Sequence, residues 1–378
     1  MSLPDAIVIG GGIVGASCAE RLSADGLRTV VLESDVAGSG ATAAGMGHVV
    51  VMDENEPEFA LTRYSTDLWH ECRAELPPEA EFEARGTLWV AVDDEEMEGA
   101  RGKAAFYTSR GIEAEILEPG ELYASEPQLR RGLAGGLLVR GDAVTYPPPV
   151  ARWLMRRMEE RGGTLRIGAR ATALTDDGVM LEGGERLSAP ILVLAAGAAS
   201  NRLVPGLPMQ PRKGHLAITD RYPGFLRHQL VELGYLKSAH GSATESVALN
   251  VQPRATGQIL IGSSRQFGQT GSEINHGILS RMLQRAIEYL PGMASLDVLR
   301  TWTGFRAATP DKLPLIGRAP GFSNLWLATG HEGLGITMSL GTGQLLADLI
   351  AGREAAIDAS AFCPARFASV PERELRHA

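Results

Sequence analysis

Three glycines near the start of the chain have the spacing of a turn that binds the phosphates of a dinucleotide. Gly10, Gly12 and Gly15 form a G-x-G-x-x-G pattern between a predicted strand and a predicted helix. The first glycine allows the tight turn, the second lets the backbone approach a pyrophosphate, and the third lets helix and strand pack closely. The helix N-terminus then offers N–H groups and a partial positive charge to the phosphates. Glu33 ends the next predicted strand, where its carboxylate can accept both ribose hydroxyls of an adenosine, which favours NAD or FAD over NADP.

A second run of small residues helps to distinguish NAD from FAD. The segment 38–48 (GSGATAAGMGH) directly follows the second predicted strand, where it can wrap the pyrophosphate and ribityl chain of a flavin. The segment Ile191–Gly197 is a buried strand that ends in small residues, suited to pass beneath the nucleotide. Either segment alone is equally compatible with an ordinary glycine loop or a core strand. The residues predicted to contact the dinucleotide in these segments are Gly10, Gly12, Ile13, Val14, Gly15, Glu33, Ser34, Ala41, Thr42, Ala44, Gly45, Met46, Gly47, Ala196 and Gly197.

The elements that must position these residues follow from the hydrophobic pattern. Asp5–Gly10 and Arg28–Glu33 are apolar runs on either side of a helical pattern at 13–24, which together predict a βαβ unit. From Pro211 to Arg300 the residues alternate as in antiparallel strands with one wet face. Further helices are predicted at 58–76, 95–110, 147–161, 272–290 and 336–351, and further buried strands at 191–195 and 324–328.

Segments typical of parallel sheets lie at the start, middle and end of the chain, separated by two inserts with antiparallel character. This order predicts an α/β plus α+β architecture, in which a doubly wound dinucleotide-binding domain is interleaved with an antiparallel-sheet substrate domain. The predicted bounds are 1–85, 141–210 and 307–370 for the first domain and 86–140 and 211–306 for the second. A charged tail at 371–378 is expected to fray.

Composition excludes several classes of protein. The chain has 378 residues, 44% hydrophobic and 21% charged, as expected of a globular protein with a sizeable core. Its net charge of −9 and scattered basic residues argue against nucleic-acid binding. No apolar run approaches the roughly 18 residues of a membrane span, and no secretory signal is recognised at the N-terminus. The three cysteines, at 18, 72 and 363, suggest reduced thiols in the cytoplasm, with no disulfide framework and no metal site.

Three groups of residues together resemble the FAD-dependent D-amino-acid oxidase superfamily, which includes glycine oxidase, sarcosine oxidase and D-amino-acid dehydrogenase. They are GGGIVG with Glu33, the run GSGATAAG, and the run from Arg306 (RAATPD) through LIG at 315–317 to NLWLATGH at 324–331. The resemblance covers nearly the whole chain. Residues 42–53 and 330–346 are similar to the flavoprotein β subunits of bacterial D-hydroxyproline dehydrogenases, and also to those of hydrogen cyanide synthases and opine oxidases.

The resemblance implies a Rossmann-like FAD domain of the glutathione-reductase type, with the antiparallel sheet as a roof over the flavin ring. Arg306 would bind the substrate carboxylate, although the proline usual after this arginine is Ala307 here. A helix N-terminus facing the flavin pyrimidine would stabilise the negative charge of the reduced ring. The cofactor-binding residues implied in this way are Ala171, at the adenine, and Gly330, Gly333, Leu334, Gly335, Ile336 and Thr337, at the pyrimidine.

Other polar residues are weaker candidates for the substrate pocket. His48, His331, Glu332 and Tyr235 are predicted to line it, with a structural role as the alternative for each; His240 is a further candidate, whereas His215 is expected to be structural. Relatives that tether FAD covalently use a cysteine or a histidine at two places, which here hold residues 304–308 and 42–43 without either type. FAD is therefore expected to be bound noncovalently.

The expected activity is FAD-dependent oxidation of a D-amino or secondary amino acid, by hydride transfer from Cα to flavin N5, with D-hydroxyproline or D-proline-like substrates favoured. Three alternatives remain open: an oxidase of the glycine or sarcosine type that uses O₂, a flavin subunit that mainly relays electrons, and a 2-hydroxy-acid dehydrogenase. The three cysteines cannot hold an iron–sulfur cluster, which normally needs four. Electrons would pass to an iron–sulfur partner subunit or to a quinone. The chain is expected to be cytoplasmic, and a peripheral position at the inner face of the membrane is a further option. It is also a candidate to form a homo-oligomer.

Overall fold

The computed structural model describes residues 3–234 and 245–367. The strands, in chain order, are β1 (Ala6–Ile9), β2 (Thr29–Glu33), β3 (His48–Val49), β4 (Thr87–Ala91), β5 (Ala114–Leu117), β6 (Gly135–Val139), β7 (Ala143–Val144), β8 (Thr164–Ile167), β9 (Ala171–Thr175), β10 (Gly178–Leu181), β11 (Arg186–Ser188), β12 (Ile191–Leu194), β13 (Gln210–Arg221), β14 (Gln229–Glu232), β15 (Glu245–Pro253), β16 (Gln258–Phe267), β17 (Val298–Ala308), β18 (Leu315–Arg318) and β19 (Leu325–Thr329). The α-helices are α1 (Ile13–Ala24), α2 (Ala41–Ala44), α3 (Glu56–Cys72), α4 (Asp94–Ser109), α5 (Pro119–Ser125), α6 (Pro147–Glu160), α7 (Ser200–Leu203), α8 (His276–Tyr289) and α9 (Ser339–Ala351).

A six-stranded sheet in the order β18-β19-β12-β1-β2-β8 forms one half of the fold. Its pairs are parallel except β18–β19. The strands β1 and β12 are apolar along their length because both faces of the sheet are covered. Val8 and Val193 face a cluster built with α1, α6 and α9, whereas Ile7 and Leu192 face a cluster that includes Val179 of the small sheet β9–β11.

An eight-stranded sheet in the order β17-β13-β16-β15-β14-β4-β6-β5 forms the other half. Its neighbouring pairs are antiparallel except β14–β4, which is parallel. The strands β4, β5 and β6 come from the first insert and the others from the second, so β14–β4 joins the two inserts in one sheet. Parallel pairs cannot be closed by a tight hairpin, which is why this junction lies between distant parts of the chain.

The two sheets meet at the end of β17. Ala308 forms an isolated antiparallel bridge with His331, and the Glu332 N–H donates to the carbonyl of Ala307 at 2.9 Å. The short pair β3–β7 adds a second link, with His48 opposite Val144. The segment that follows β19 is therefore joined to the end of β17.

Several helices begin or end where the hydrophobic pattern alone does not place them. The helix α3 starts at Glu56 because Asn55 caps it, accepting the Glu58 N–H at 2.9 Å, and it ends at Cys72 rather than at 76. Likewise α8 starts at 276 rather than 272, capped by Asn275. The helix α9 starts at 339 rather than 336, after a turn. The predicted tail at 371–378 lies outside the described residues, and the predicted domain bounds stay predictions. None of the described helices has the length and apolarity to cross a membrane.

Candidate active site

The glycine-rich turn joins β1 to α1 in the geometry that its sequence predicts. Gly10 has φ of +111°, and a Cβ there would lie 2.5 Å from the carbonyl oxygen of Ala195. A Cβ at Gly15 would overlap the carbonyl oxygen of Gly10, so glycine at position 15 lets α1 approach the end of β1 this closely. No side chain caps α1 at Gly12, and its first turn holds no acidic residue. The N-terminus of α1 is therefore suited to an anionic ligand.

Glu33 lies at the end of β2, directly beside this turn. Its side chain is buried, and its Oε2 accepts the Gly11 N–H at 2.7 Å. Its Oε1 accepts the Asp35 N–H at 2.7 Å, and the Ser34 hydroxyl lies 3.4 Å from the same oxygen. The carboxylate thus holds the glycine turn in addition to its predicted role at the ribose.

The small-residue loop packs against the start of α1. Thr42, in α2, accepts the Ile13 N–H on its hydroxyl at 3.0 Å. A Cβ at Gly45 would lie 2.7 Å from the Ile336 side chain, which places the loop between α1 and the segment before α9. Ala41, Ala44 and Met46 belong to the same loop, and Gly47, with φ of +91°, turns the chain into β3.

The remaining predicted cofactor residues gather at the same edge of the six-stranded sheet. Ala196 and Gly197 follow β12 next to the glycine turn, since the Ala195 N–H donates to the carbonyl of Ile9 at 2.9 Å. The Ala169 N–H donates to the carbonyl of Glu33 at 2.9 Å, at the end of β2. Ala171, the first residue of β9, follows two positions later in the chain. These contacts fit an adenosine at the end of β2.

The segment 330–337 crosses from β19 to α9 and is tied to the N-terminal part of the chain. The Thr337 hydroxyl donates to the carbonyl of His48 at 2.9 Å. The Thr337 carbonyl accepts bonds from the Ser65 hydroxyl at 2.6 Å and the Trp69 indole at 3.0 Å. The Met338 N–H donates to the Leu334 carbonyl at 2.8 Å, and this bond leads the turn into α9. The other predicted cofactor residues of the segment are Gly330, Gly333, Gly335 and Ile336.

A cavity lies between this segment and the eight-stranded sheet. His48 and His331 line it, as does Glu332. Its remaining charged lining consists of Arg212, Arg265 and Lys312 with Glu54 and Glu58. The sequence identified the first three of these eight residues and missed the other five.

Arg306 lies beside the cavity rather than on its described lining. Its Nη1 donates to the carbonyl of Ser264 at 3.0 Å, and its Nε would lie 3.8 Å from a Cβ added at Gly333. The guanidinium folds over Gly214 of the neighbouring strand, where a Cβ would lie only 2.7 Å from Nη1. Gly214 therefore leaves the space that Arg306 occupies.

The pairing of β13 with β16 is interrupted beside Arg306. The register shifts between Lys213 and Ala217, and the His215 N–H donates to the Ser264 hydroxyl at 2.8 Å rather than to a strand carbonyl. The His215 Nε2 accepts the Asn275 N–H at 3.0 Å, so the proton is on Nδ1, 2.9 Å from the same hydroxyl. Burial, with the charge of Lys213, lowers the pKa of His215 to about 4, and the ring is neutral. Bulges of this kind often re-aim groups at functional sites.

Three guanidiniums surround one carboxylate at the cavity. Arg212 and Arg306 face each other on β13 and β17, and Arg212 forms a buried ion pair with Glu332. Burial alone would raise the pKa of Glu332, but Arg265, Arg306 and Arg212 outweigh it and lower that pKa to about 2. Glu332 is therefore ionised and offsets the repulsion between the facing arginines.

The two histidines at the cavity are neutral at pH 7. Burial lowers the pKa of His48 to about 4, with the charge of Arg306 acting in the same direction and Gln252 opposing it. Burial likewise lowers the pKa of His331 to about 3, and its Nε2 lies 2.9 Å from the Thr342 hydroxyl in α9. Neither ring adds positive charge to the site, and their catalytic roles stay predictions.

Glu58 is a cavity residue that the sequence did not single out. Burial raises its pKa to about 7, and the neighbouring charges of Glu54 and Asp53 add to this, partly opposed by Lys312. Its position in the acidic run ENEPE is typical of a solvated helix N-terminus, which gave no sign of a buried carboxyl group. Tyr235 and His240, also predicted at the pocket, lie outside the described residues.

The donor set at the edge of the six-stranded sheet fits FAD. An uncapped helix N-terminus, glycines where a Cβ would clash and a buried carboxylate at the end of β2 match the needs of pyrophosphate and ribose. Residues 42–43 and 304–308, the two places at which a covalent tether is considered, include no cysteine or histidine. Noncovalent binding stays the prediction.

Comparisons with known proteins agree with this geometry. A family profile described as FAD dependent oxidoreductase matches residues 5–349. The chain is 29% identical to glycine oxidase of Pseudomonas aeruginosa over 95% of this chain and 98% of that protein. It is 26% identical to one of the opine oxidase subunits of Rhizobium meliloti, over 96% and 97% of the two chains. The solved structure of glycine oxidase from Geobacillus kaustophilus superposes with a TM-score of 0.87 at 26% identity, over 97% and 99% of the two chains, which confirms the expected fold class.

Proposed function

Because the chain belongs to the family of FAD-dependent oxidoreductases, we propose that it oxidises a D-amino or secondary amino acid, with D-hydroxyproline and D-proline-like compounds as the favoured substrates. The superfamily expected from the residues is confirmed, and the chain is an FAD-dependent amino-acid oxidoreductase. The choice among amino acids rests on the resemblance of residues 42–53 and 330–346 to flavoprotein β subunits. The observation that carries the proposal is the position of Arg306 beside the cavity at the junction of the two sheets.

Each part of the site has a task in this reaction. The glycine turn, Glu33 and the segment 330–337 would hold FAD, which supplies a hydride acceptor at N5 when bound. Arg306 would bind the substrate carboxylate with its planar guanidinium fork. Orientation of the substrate Cα–H by this contact would provide most of the catalysis. The neutral His48 and His331 add no positive charge to the site, and no side-chain base is required if the amine binds as the free base.

The direct test is anaerobic reduction of the flavin by a panel of D-, L- and N-alkyl amino acids. We expect 4-hydroxy-D-proline or D-proline to bleach the flavin fastest, and L-amino acids and 2-hydroxy acids to bleach it slowly. Glycine or sarcosine as the best substrate would favour the glycine-oxidase alternative. Reduction only by 2-hydroxy acids would contradict the amino-acid assignment.

The electron acceptor is proposed to be a partner subunit or a quinone rather than O₂. The similarity to a chain named as a subunit of an opine oxidase supports a place in a larger complex. With three cysteines, at 18, 72 and 363, the chain lacks the four thiolates that an iron–sulfur cluster normally requires, so a cluster would belong to the partner. A flavin subunit that only relays electrons is less favoured, because it would not need an arginine at the substrate position. We also propose a cytoplasmic location, with a peripheral position at the membrane as a further option. Assembly of the chain into a homo-oligomer is a further option as well.

We expect the substrate-reduced protein to be reoxidised much faster by an artificial dye than by air. The measurement compares peroxide production in air with dye-linked turnover under the same substrate concentration. Peroxide formation at the dye-linked rate would instead identify an oxidase. Copurification of a cysteine-rich chain from the native host would support the partner.

A further inference from the structure

Beyond the carboxylate site, we propose that Gln229 and Asn250 form a second subsite in the cavity, which binds a hydroxyl group on the substrate side chain. The proposal deepens the proposed function and rests on it, since it assumes that an amino acid occupies this cavity. It concerns two neutral side chains that no motif in the sequence singles out.

Both residues belong to adjacent strands and face the same side of the sheet. Val231 of β14 is opposite Asn250 of β15, and side chains alternate between the faces of a strand, so Gln229 shares a face with both. All three line the cavity. Gln229 is 3% exposed and Asn250 8% exposed, so neither amide is solvated at the protein surface.

The amide oxygens of both residues have no hydrogen-bond partner among the residues that the structure describes. Buried polar atoms are nearly always paired, so we take an unpaired acceptor on a residue that lines a cavity to indicate a ligand that donates to it. Two such acceptors on adjacent strands of one cavity wall form a site rather than an isolated defect.

The orientation of Gln229 is fixed by its neighbours. Its Nε2 donates to the Thr87 hydroxyl at 3.0 Å. This bond uses the amide nitrogen, and the amide oxygen has no partner among the residues that the structure describes. The amide oxygen of Gln229 is therefore the atom left for the cavity.

The chemistry of the subsite selects a neutral donor. A carboxylate or carbonyl group has no hydrogen to offer to the two amide oxygens. A second ammonium group would pair with the carboxylates of Glu54, Glu58 or Glu332 in the same cavity rather than with two neutral amides. The adjacent wall is apolar, with Val231, Met52 and Trp89, and it suits a carbon skeleton that carries a single hydroxyl.

The test compares substrates that differ by one hydroxyl, using the FAD-loaded full chain and a dye acceptor. The pairs are 4-hydroxy-D-proline with D-proline and D-serine with D-alanine. We expect the ratio of kcat/KM to favour the hydroxylated member of at least one pair by about tenfold or more, because a site built to bind a hydroxyl leaves its polar groups unpaired with the other member. In Gln229→Met and in Asn250→Leu the ratio should fall to within about threefold of one.

Gln266→Met is the matched control. Gln266 is also a buried glutamine of the eight-stranded sheet, and its amide oxygen also lacks a partner among the described residues, but it is not on the described cavity lining. This variant should keep the wild-type ratio. Equal ratios in the wild type, or a preference that survives both substitutions in the cavity, would contradict the subsite.

A binding measurement without turnover separates this inference from the proposed function. Butyrate and 3-hydroxybutyrate differ by one hydroxyl and have no amine, and their binding can be read from the absorbance of the oxidised flavin. We expect 3-hydroxybutyrate to bind more tightly to the wild type and to lose this advantage in Gln229→Met. If no amino acid reduces the flavin but this advantage depends on Gln229, the subsite stands and the proposed function fails. If amino acids reduce the flavin and the hydroxyl has no effect in either assay, the subsite alone is wrong.

Discussion

Replacement of Arg306 by alanine is expected to lower kcat/KM by at least about 100-fold, a loss of about 2.7 kcal/mol of transition-state stabilisation. The guanidinium lies between Ser264, Gly214 and the segment 330–337, so its removal would take away the proposed carboxylate anchor. Arg306→Lys keeps the charge but loses the planar fork, and KM should rise in both variants. Steady-state kinetics with the best substrate of the panel provides the measurement.

The control for this prediction is Arg300→Ala. Arg300 is an exposed arginine of the same strand, stacked on Trp302 at 5.5 Å, and its loss should leave kcat/KM near the wild-type value. FAD content should stay normal in every variant. A near-wild-type kcat/KM for Arg306→Ala would move the carboxylate site to Arg212 or Arg265, which line the cavity directly.

Replacement of Glu33 by alanine should weaken FAD binding by about 10- to 150-fold, as expected for the loss of charge-assisted hydrogen bonds worth about 1.5–3 kcal/mol. The structure gives a second reason for this effect, because the same carboxylate holds the backbone of Gly11 and Asp35. Fluorescence titration of the apoprotein with FAD measures the affinity directly.

Asp35→Ala serves as the comparison, since Asp35 is an exposed carboxylate two residues away whose backbone, not its side chain, contacts Glu33. Its FAD affinity should match that of the wild type. An unchanged affinity in a folded Glu33→Ala protein would show that Glu33 is not at the ribose.

The part of the site that is local in the chain could be predicted from the sequence. The glycine turn and Glu33 are set by spacing within one βαβ unit, and the structure brings them into direct contact. The hydrophobic pattern places the starts of α3 and α8 at 58 and 272, whereas the N-cap residues Asn55 and Asn275 set them at 56 and 276.

The cavity lining could not be predicted in the same way. Arg212, Arg265, Gln229 and Asn250 meet only through the register of strands from distant segments, and that register includes the parallel pair β14–β4 and the interruption beside His215. Alternation along one strand shows which residues share a face, but it does not tell which strand lies next to it. The parallel pair in particular joins two inserts that the sequence presents separately.

The link at the end of β17 has a consequence for how the two ligands affect each other. Arg306 is followed in β17 by Ala307, which accepts the Glu332 N–H, and by Ala308, which forms the bridge with His331. These contacts connect the proposed carboxylate site directly to the segment that would face the flavin. A ligand that orders this connection lowers the entropic cost of binding for the other. Cofactor and substrate affinities are then thermodynamically coupled, and the factor by which FAD tightens carboxylate binding must equal the factor by which carboxylates tighten FAD binding.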